Sequence, residues 1–290
     1  MKKKTNIKKT IKLLIQILFT AIAITIVVNK LDLSQIKNTL SSTNFFYLFL
    51  AFLMFNISKI ISSIRLNRFF DDISLKLSQS YNLKLYYLGM FYNLFLPGGI
   101  GGDGYKIYIL KKYFNQKILT MTKVMLLDRI SGLIALLFLT GVLGLFSSFT
   151  NYTYISYLTI AGVILIYPIT ILLYKYKFSE FLKSFQITNF QALLVQLFQV
   201  FCAYFIVLSF GGSTDIFDLL VIFLISSIVA VLPLTVGGIG ARELTFIYLL
   251  QFLGKEPTIG VALSVIFFLI TALSSFIGVS FINYKWSEKQ

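Results

Sequence analysis

Six charged residues stand in or beside apolar segments of this chain: Asp103, Lys106, Asp128, Arg129, Arg242 and Glu243. Two groups of them are introduced by glycines. Leu96-Pro97-Gly98-Gly99-Ile100-Gly101-Gly102-Asp103 is followed by Lys106, and Pro233-Leu234-Thr235-Val236-Gly237-Gly238-Ile239-Gly240 is followed by Ala241-Arg242-Glu243. Proline ends the preceding apolar run, glycines open the backbone, and charge begins the next helix. A glycine-rich backbone leading into a helix start is suited to binding an anion, phosphate above all. Asp103 and Glu243 have a simpler role open to them, that of capping free N–H groups in a first helical turn. Lys106 and Arg242 do not. A cation there opposes the helix dipole and needs an anion, which can be Asp103, Glu243 or a ligand phosphate. Asp128-Arg129 is either a local ion pair or turns Arg129 toward the same space as Lys106. Asn93, four residues before Pro97, either bonds backbone groups freed by the break or contacts the ligand. The candidate binding residues are therefore Asn93, Gly98, Gly99, Gly101, Gly102, Asp103, Lys106, Arg129, Gly237, Gly238, Gly240, Arg242 and Glu243. Lys59 needs a partner or must snorkel, and its type and position assign it nothing further.

Other chemistry is excluded by composition. There is no His and a single Cys, Cys202, inside an apolar run. Metal catalysis, a disulfide framework and Cys/His nucleophiles are not expected, and neither is a cofactor. The chain is 57% hydrophobic and 13% charged, against about 45–50% and about 25% in soluble domains. It reads as an all-α polytopic membrane helix bundle, one integral membrane domain over 1–290. The net charge of +15 does not imply nucleic acid, because the cations cluster at the ends of apolar runs, as orientation signals do.

About 20 apolar residues span a bilayer. Full spans are expected near 11–29, 45–64, 124–147, 154–174, 188–210 and 258–283, six in all. The apolar run that follows the basic N-terminus continues past a possible cleavage pattern at Ala21-Ile22-Ala23, so an uncleaved first span is expected rather than a signal peptide. Two further apolar stretches run into the glycine motifs, and the helices after them are too short to cross. Segments 85–113 and 218–253 are therefore expected to be re-entrant hairpins, tolerated at membrane depth only where protein or a polar cavity covers them. With the N-terminus inside, the inside segments hold thirteen Lys and Arg residues, Arg65, Arg68, Lys111, Lys112 and Lys117 among them. The outside loops hold only Lys30, Lys37 and Lys255. This asymmetry predicts two cytoplasmic termini. The two Gly-Gly-Ile-Gly cores lie 139 positions apart, and segments 45–147 and 188–283 then read as an inverted repeat that brings two broken helices together near the midplane. Each charge at the bilayer centre costs at least about 2.5–3.5 kcal/mol. The six must therefore pair or line a polar cavity.

The residues from Asn93 to Pro97, Gly98-Gly99-Ile100-Gly101-Gly102-Asp103, Tyr105-Lys106 and Leu110 resemble the signature of the lysylphosphatidylglycerol synthase transmembrane region, a flippase-like family. Asp128-Arg129 and the Pro233 to Glu243 segment fit the same pattern. The resemblance covers roughly 10–285. It implies membrane phospholipid or a polyprenyl-phosphate-linked lipid as partner and a prokaryotic inner membrane as location. Family members with a soluble aminoacyl-transfer domain make and translocate aminoacylated lipids. This chain ends at Gln290 soon after its last apolar run, so the resemblance implies the membrane region alone and no synthase activity. The family often has Arg where this chain has Lys106, and Lys gives up bidentate phosphate recognition. The expected function is translocation of a lipid or lipid-linked substrate whose phosphate sits between the hairpins. The alternatives are a non-transporting lipid-binding partner of a separate glycosyl- or aminoacyl-transferase, and a small-solute secondary transporter.

Overall fold

The computed structural model describes Thr25 and residues 43–95, 101–231 and 238–287. Among them are nine α-helices and no strand. In chain order these are α1 (Phe45–Asp72), α2 (Gln79–Phe95), α3 (Gly101–Phe114), α4 (Ile118–Gly144), α5 (Thr153–Lys177), α6 (Phe185–Ser209), α7 (Ile216–Val231), α8 (Ala241–Phe252) and α9 (Thr258–Phe276). Helices α1, α4, α5, α6 and α9, the last with its 3-10 extension to Phe281, are long and apolar enough to cross a membrane. They correspond to five of the six expected spans. The first, 11–29, lies outside the described residues apart from Thr25.

Four of the five spans, all but α9, are longer than hydropathy indicates. α1 continues to Asp72 rather than stopping near 64, and α4 begins at Ile118 rather than 124. An apolar window marks the hydrocarbon slab, whereas the helix goes on as long as its i→i−4 bonds are made. Arg65, expected in an inside loop, is consequently a helical residue and is only 4% exposed. The start of α1 is set by Asn44, whose Oδ1 accepts from Phe46 N at 2.9 Å.

α2 and α3 pack as an antiparallel pair. Tyr81 meets Phe114 near the open end, and Asn93 meets Gly102 near the closed end. α7 and α8 form a second such pair, with Ala230 against Gly238 and Ser227 against Arg242. At 17, 14, 16 and 12 residues, all four arms fall short of the roughly 20 needed to cross. Gly102 is where the first pair approaches most closely. A Cβ built on it would lie 1.9 Å from Gly89 O, so nothing larger than hydrogen fits.

Between the pairs, α1 and α6 form the central seam and run antiparallel. Asn44 N at the start of α1 donates to Ser209 O at the end of α6 (2.9 Å), and Ser184 Oγ just before α6 donates to Asp72 at the end of α1. The hairpin after α1 and the hairpin after α6 therefore open from opposite ends of the bundle. The remaining contacts are reciprocal. α4 packs on α6 and α7, while α9 packs on α1 and α2. Ser148, just after α4, donates through N and Oγ to Asp218 in the first turn of α7, both at 2.7 Å. Tyr284, after α9, lies against Tyr81 and Lys84 in α2. Each hairpin sits in its own apolar cluster, α7–α8 around Phe223, Phe246 and Phe267, and α2–α3 around Tyr81, Leu88 and Leu110. α5 is peripheral, burying only Thr170 and Tyr174. Cys202 is buried and unpaired by disulfide.

Candidate functional site

At the first hairpin the glycine break is stitched by a side chain. Asn93 Oδ1 accepts from Gly102 N at 2.7 Å, satisfying a backbone donor at the start of α3. The next residue, Asp103, does not cap its own helix end among the described residues. It accepts from Lys106 Nζ through Oδ1 (3.3 Å) and from Arg129 Nε on α4 through Oδ2 (2.7 Å). Lys106 is 5% exposed, and its ammonium also lies 4.4 Å from the centre of the Tyr86 ring. One carboxylate thus holds two cations and ties α3 to α4. Gly101 opens α3 beside this group. Gly98 and Gly99 lie outside the described residues.

Asp128 does not pair with its neighbour Arg129. Consecutive helical residues point about 100° apart, and Asp128 turns to α1, accepting from Arg65 Nε at 2.9 Å, while its carbonyl accepts from Arg65 Nη2 at 3.1 Å. Arg65 Nη1 is buried without a partner. Arg129 faces Lys106 across Asp103, as one of the two sequence readings required.

At the second hairpin, Gly238 and Gly240 have φ of +82° and +83°, left-handed backbone that favours glycine. Glu243 takes the capping role. Its Oε2 accepts from Gly240 N at 2.7 Å and its Oε1 from Ser264 Oγ on α9 at 2.8 Å. Arg242 is left to other partners. Its Nη1 donates to Ser227 Oγ at 2.9 Å, and its guanidinium carbon lies 5.2 Å from the centre of the Phe267 ring. Gly237 lies outside the described residues.

Sequence reasoning left Lys59 without a role and set Arg65 in a loop. Lys59 is half-buried on α1, with Nζ 4.4 Å from the Phe55 ring centre. A signal for this face is present in the sequence: Asn56, Lys59, Ser63 and Asn67 recur at helical spacing. Asn56 donates to Ser274 Oγ of α9 (3.0 Å) and accepts from Tyr87 OH of α2 (2.9 Å), so this polar stripe faces protein. Over residues 55–66 of α1, 101–107 of α3, 125–135 of α4 and 241–247 of α8, five cations (Lys59, Arg65, Lys106, Arg129, Arg242) thus meet three carboxylates (Asp103, Asp128, Glu243).

A separate cluster closes the end of the bundle at which α7 starts. Lys255, between α8 and α9, donates to Asp215, Asp218 and Ser148. Burial works to lower the Lys255 ammonium's pKa, but its bonds to Asp215 and Asp218 outweigh this and raise it.

Among the described residues no group of three His, Cys, Asp or Glu side chains is placed to hold a metal ion. The arrangement among these side chains is one of charge pairing and helix capping. Comparison with known proteins gives one family. A family model described as "Lysylphosphatidylglycerol synthase TM region" matches residues 13–278. No curated protein matches the chain.

Proposed function

The chain belongs to the lysylphosphatidylglycerol synthase TM region family, and from that premise we propose that this multi-pass membrane protein translocates a phosphate-bearing lipid or lipid-linked substrate. The observation that carries this reading is the placing of charge at two short helical hairpins that open from opposite ends of one bundle, where the cations outnumber the carboxylates. A phosphate enters from either leaflet toward a hairpin start, and the tails remain in the bilayer. The reciprocal packing of α1–α4 and α6–α9 supports two halves related by an inverted repeat, with both hairpins re-entrant, the architecture in which alternating access is rocking of one half against the other. Asn93, Gly102 and Glu243 shape the helix starts, and Asp103 holds Lys106 and Arg129. In this reading both termini lie in the cytoplasm of a prokaryotic cell, an orientation that the positive-inside asymmetry supports. In this reading the chain is a transporter and not itself an enzyme. The drive is a gradient, the membrane potential or a downstream sink.

A second reading has one observation in its favour. Because Asp103 already pairs with both Lys106 and Arg129, the first hairpin is suited to a static lipid-binding scaffold for a separate transferase. Proteoliposomes separate the two. Headgroup-labelled phospholipids and polyprenyl-phosphate-linked sugars are followed across the bilayer, with Arg242→Ala as the control. Translocation that is lost in the variant supports the transporter. Normal translocation by Arg242→Ala removes Arg242 from the site, and no translocation by well-folded wild-type protein removes the transporter and leaves the scaffold.

A further inference from the structure

The two hairpins hold their cations in different ways. Lys106 and Arg129 share Asp103, and Arg65 has Asp128. Arg242 and Lys59 have no carboxylate within ion-pair distance among the described residues. Glu243, next to Arg242, has both oxygens engaged by Gly240 N and Ser264 Oγ. What Arg242 and Lys59 do touch is a joined pair of phenyl rings. Lys59 Nζ lies 4.4 Å from the centre of Phe55, Arg242 Cζ lies 5.2 Å from the centre of Phe267, and the two rings meet edge to face at 5.6 Å. The same rings bring the cations near enough to repel each other, and Arg65 adds to the repulsion at Lys59. A ring quadrupole offsets part of a cation's lost hydration, but it carries no net charge and cannot neutralise one. Two like charges converging on one aromatic pair therefore create a demand for an anion that neither Asp103 nor Glu243 meets.

We propose that Lys59 and Arg242 together form the seat of the anion, a phosphate ester, and that Lys106–Asp103–Arg129 is a strut rather than a second seat. This rests on the lipid-translocation reading and assigns its headgroup to one place. The chemistry of the pair suits the role. With Nη1 turned to Ser227, the Arg242 guanidinium keeps further N–H donors for phosphate oxygens, and Lys59 supplies a mobile point charge from α1. Lys59 belongs to α1 and Arg242 to α8, so an anion held by both links the central seam to the second hairpin.

The test is binding of dihexanoyl phosphatidylglycerol and of inorganic phosphate to the full-length protein by calorimetry, with transbilayer movement of labelled phospholipid measured beside it. Wild type and Lys123→Met, a variant of the exposed Lys123–Glu180 pair, are expected to bind the short-chain lipid alike. Lys59→Met is expected to bind about tenfold or more weakly, and Lys59→Arg to recover to within about threefold. Unchanged affinity in Lys59→Met overturns the seat. Should that variant fail to insert, wild-type Lys59 is probed by reductive methylation with and without the short-chain lipid. Protection of the Lys59 amine sustains the proposal and unaltered reactivity overturns it. Inorganic phosphate competing at the lipid's own concentration identifies a soluble phosphate as the ligand, and failure to compete identifies the lipid headgroup; either upholds the seat. Lys59-dependent binding without lipid movement retains the seat and removes translocation. Lipid movement indifferent to Lys59 does the reverse.

Discussion

Asp103 accepts from Lys106 through one carboxylate oxygen and from Arg129 through the other, so removing its charge strands two cations at once. Asp103→Asn is expected to lower stability by about 3 kcal/mol, the low end for breaking a buried pair, because the Arg129 side chain is 36% exposed. Reversible unfolding in detergent checks this, and a change under about 0.5 kcal/mol would deny Asp103 the strut role. Lys255 makes the same kind of argument at the opposite end. Its loss leaves Asp218, 3% exposed, with only Ser148 as donor. Lys255→Met should cost about 1–3 kcal/mol and lower the melting temperature, while lipid affinity stays unchanged. Partner choice of this kind was not legible in the sequence. Adjacent Asp128 and Arg129 left open a local pair or an Arg129 turned toward Lys106; a helix turns them to different neighbours, and for Asp128 that neighbour is Arg65 on α1, distant in the chain.

At the scale of elements, the α2–α3 pair depends on backbone meeting backbone at Gly89 and Gly102. Gly102→Ala cannot be relieved by rotating a side chain and is expected to cost about 1–3 kcal/mol or more, through overpacking. Gly104, two residues on, has nothing within 4 Å of a built Cβ. Gly104→Ala should be neutral or stabilise by up to about 1 kcal/mol through the unfolded chain. Equal effects of the two substitutions on thermal unfolding would show that the hairpin arms do not touch there. The existence of these elements was legible: five apolar runs became five long helices, and the glycine motifs fell between short ones. The ends were not, because hydropathy averages over every face of a helix. That averaging placed Arg65 in a loop and hid the polar stripe through Asn56 and Lys59.

At the scale of the molecule, antiparallel α1 and α6 place the 73–78 and 210–215 connections at opposite ends. Cys202 is the sole cysteine and is buried, so background labelling is low. Lys76→Cys and Thr214→Cys should react with a membrane-impermeant maleimide from opposite sides of the bilayer, Lys76→Cys from the cytoplasm. Labelling of both from one side would dismantle the opposed-hairpin architecture. The duplicated glycine motif and the loop charges were enough to suggest opposed halves. The seam that joins them was beyond the sequence, because no periodicity in α1 names α6 as its partner.

That seam also has a consequence in time. Asn44 at one end of α1 bonds Ser209, and Asp72 at the other bonds Ser184. At about 5–20 residues per second of synthesis, on the order of 10 s separates the emergence of α1 from that of its partner. During that interval the stripe carrying Lys59 and Asn56 has no helix to face. A ribosome-bound intermediate ending before α6 must therefore be sheltered, by the insertion machinery or an attendant chaperone, or be surrendered to membrane proteases. The two halves are made in sequence, but they mature only together.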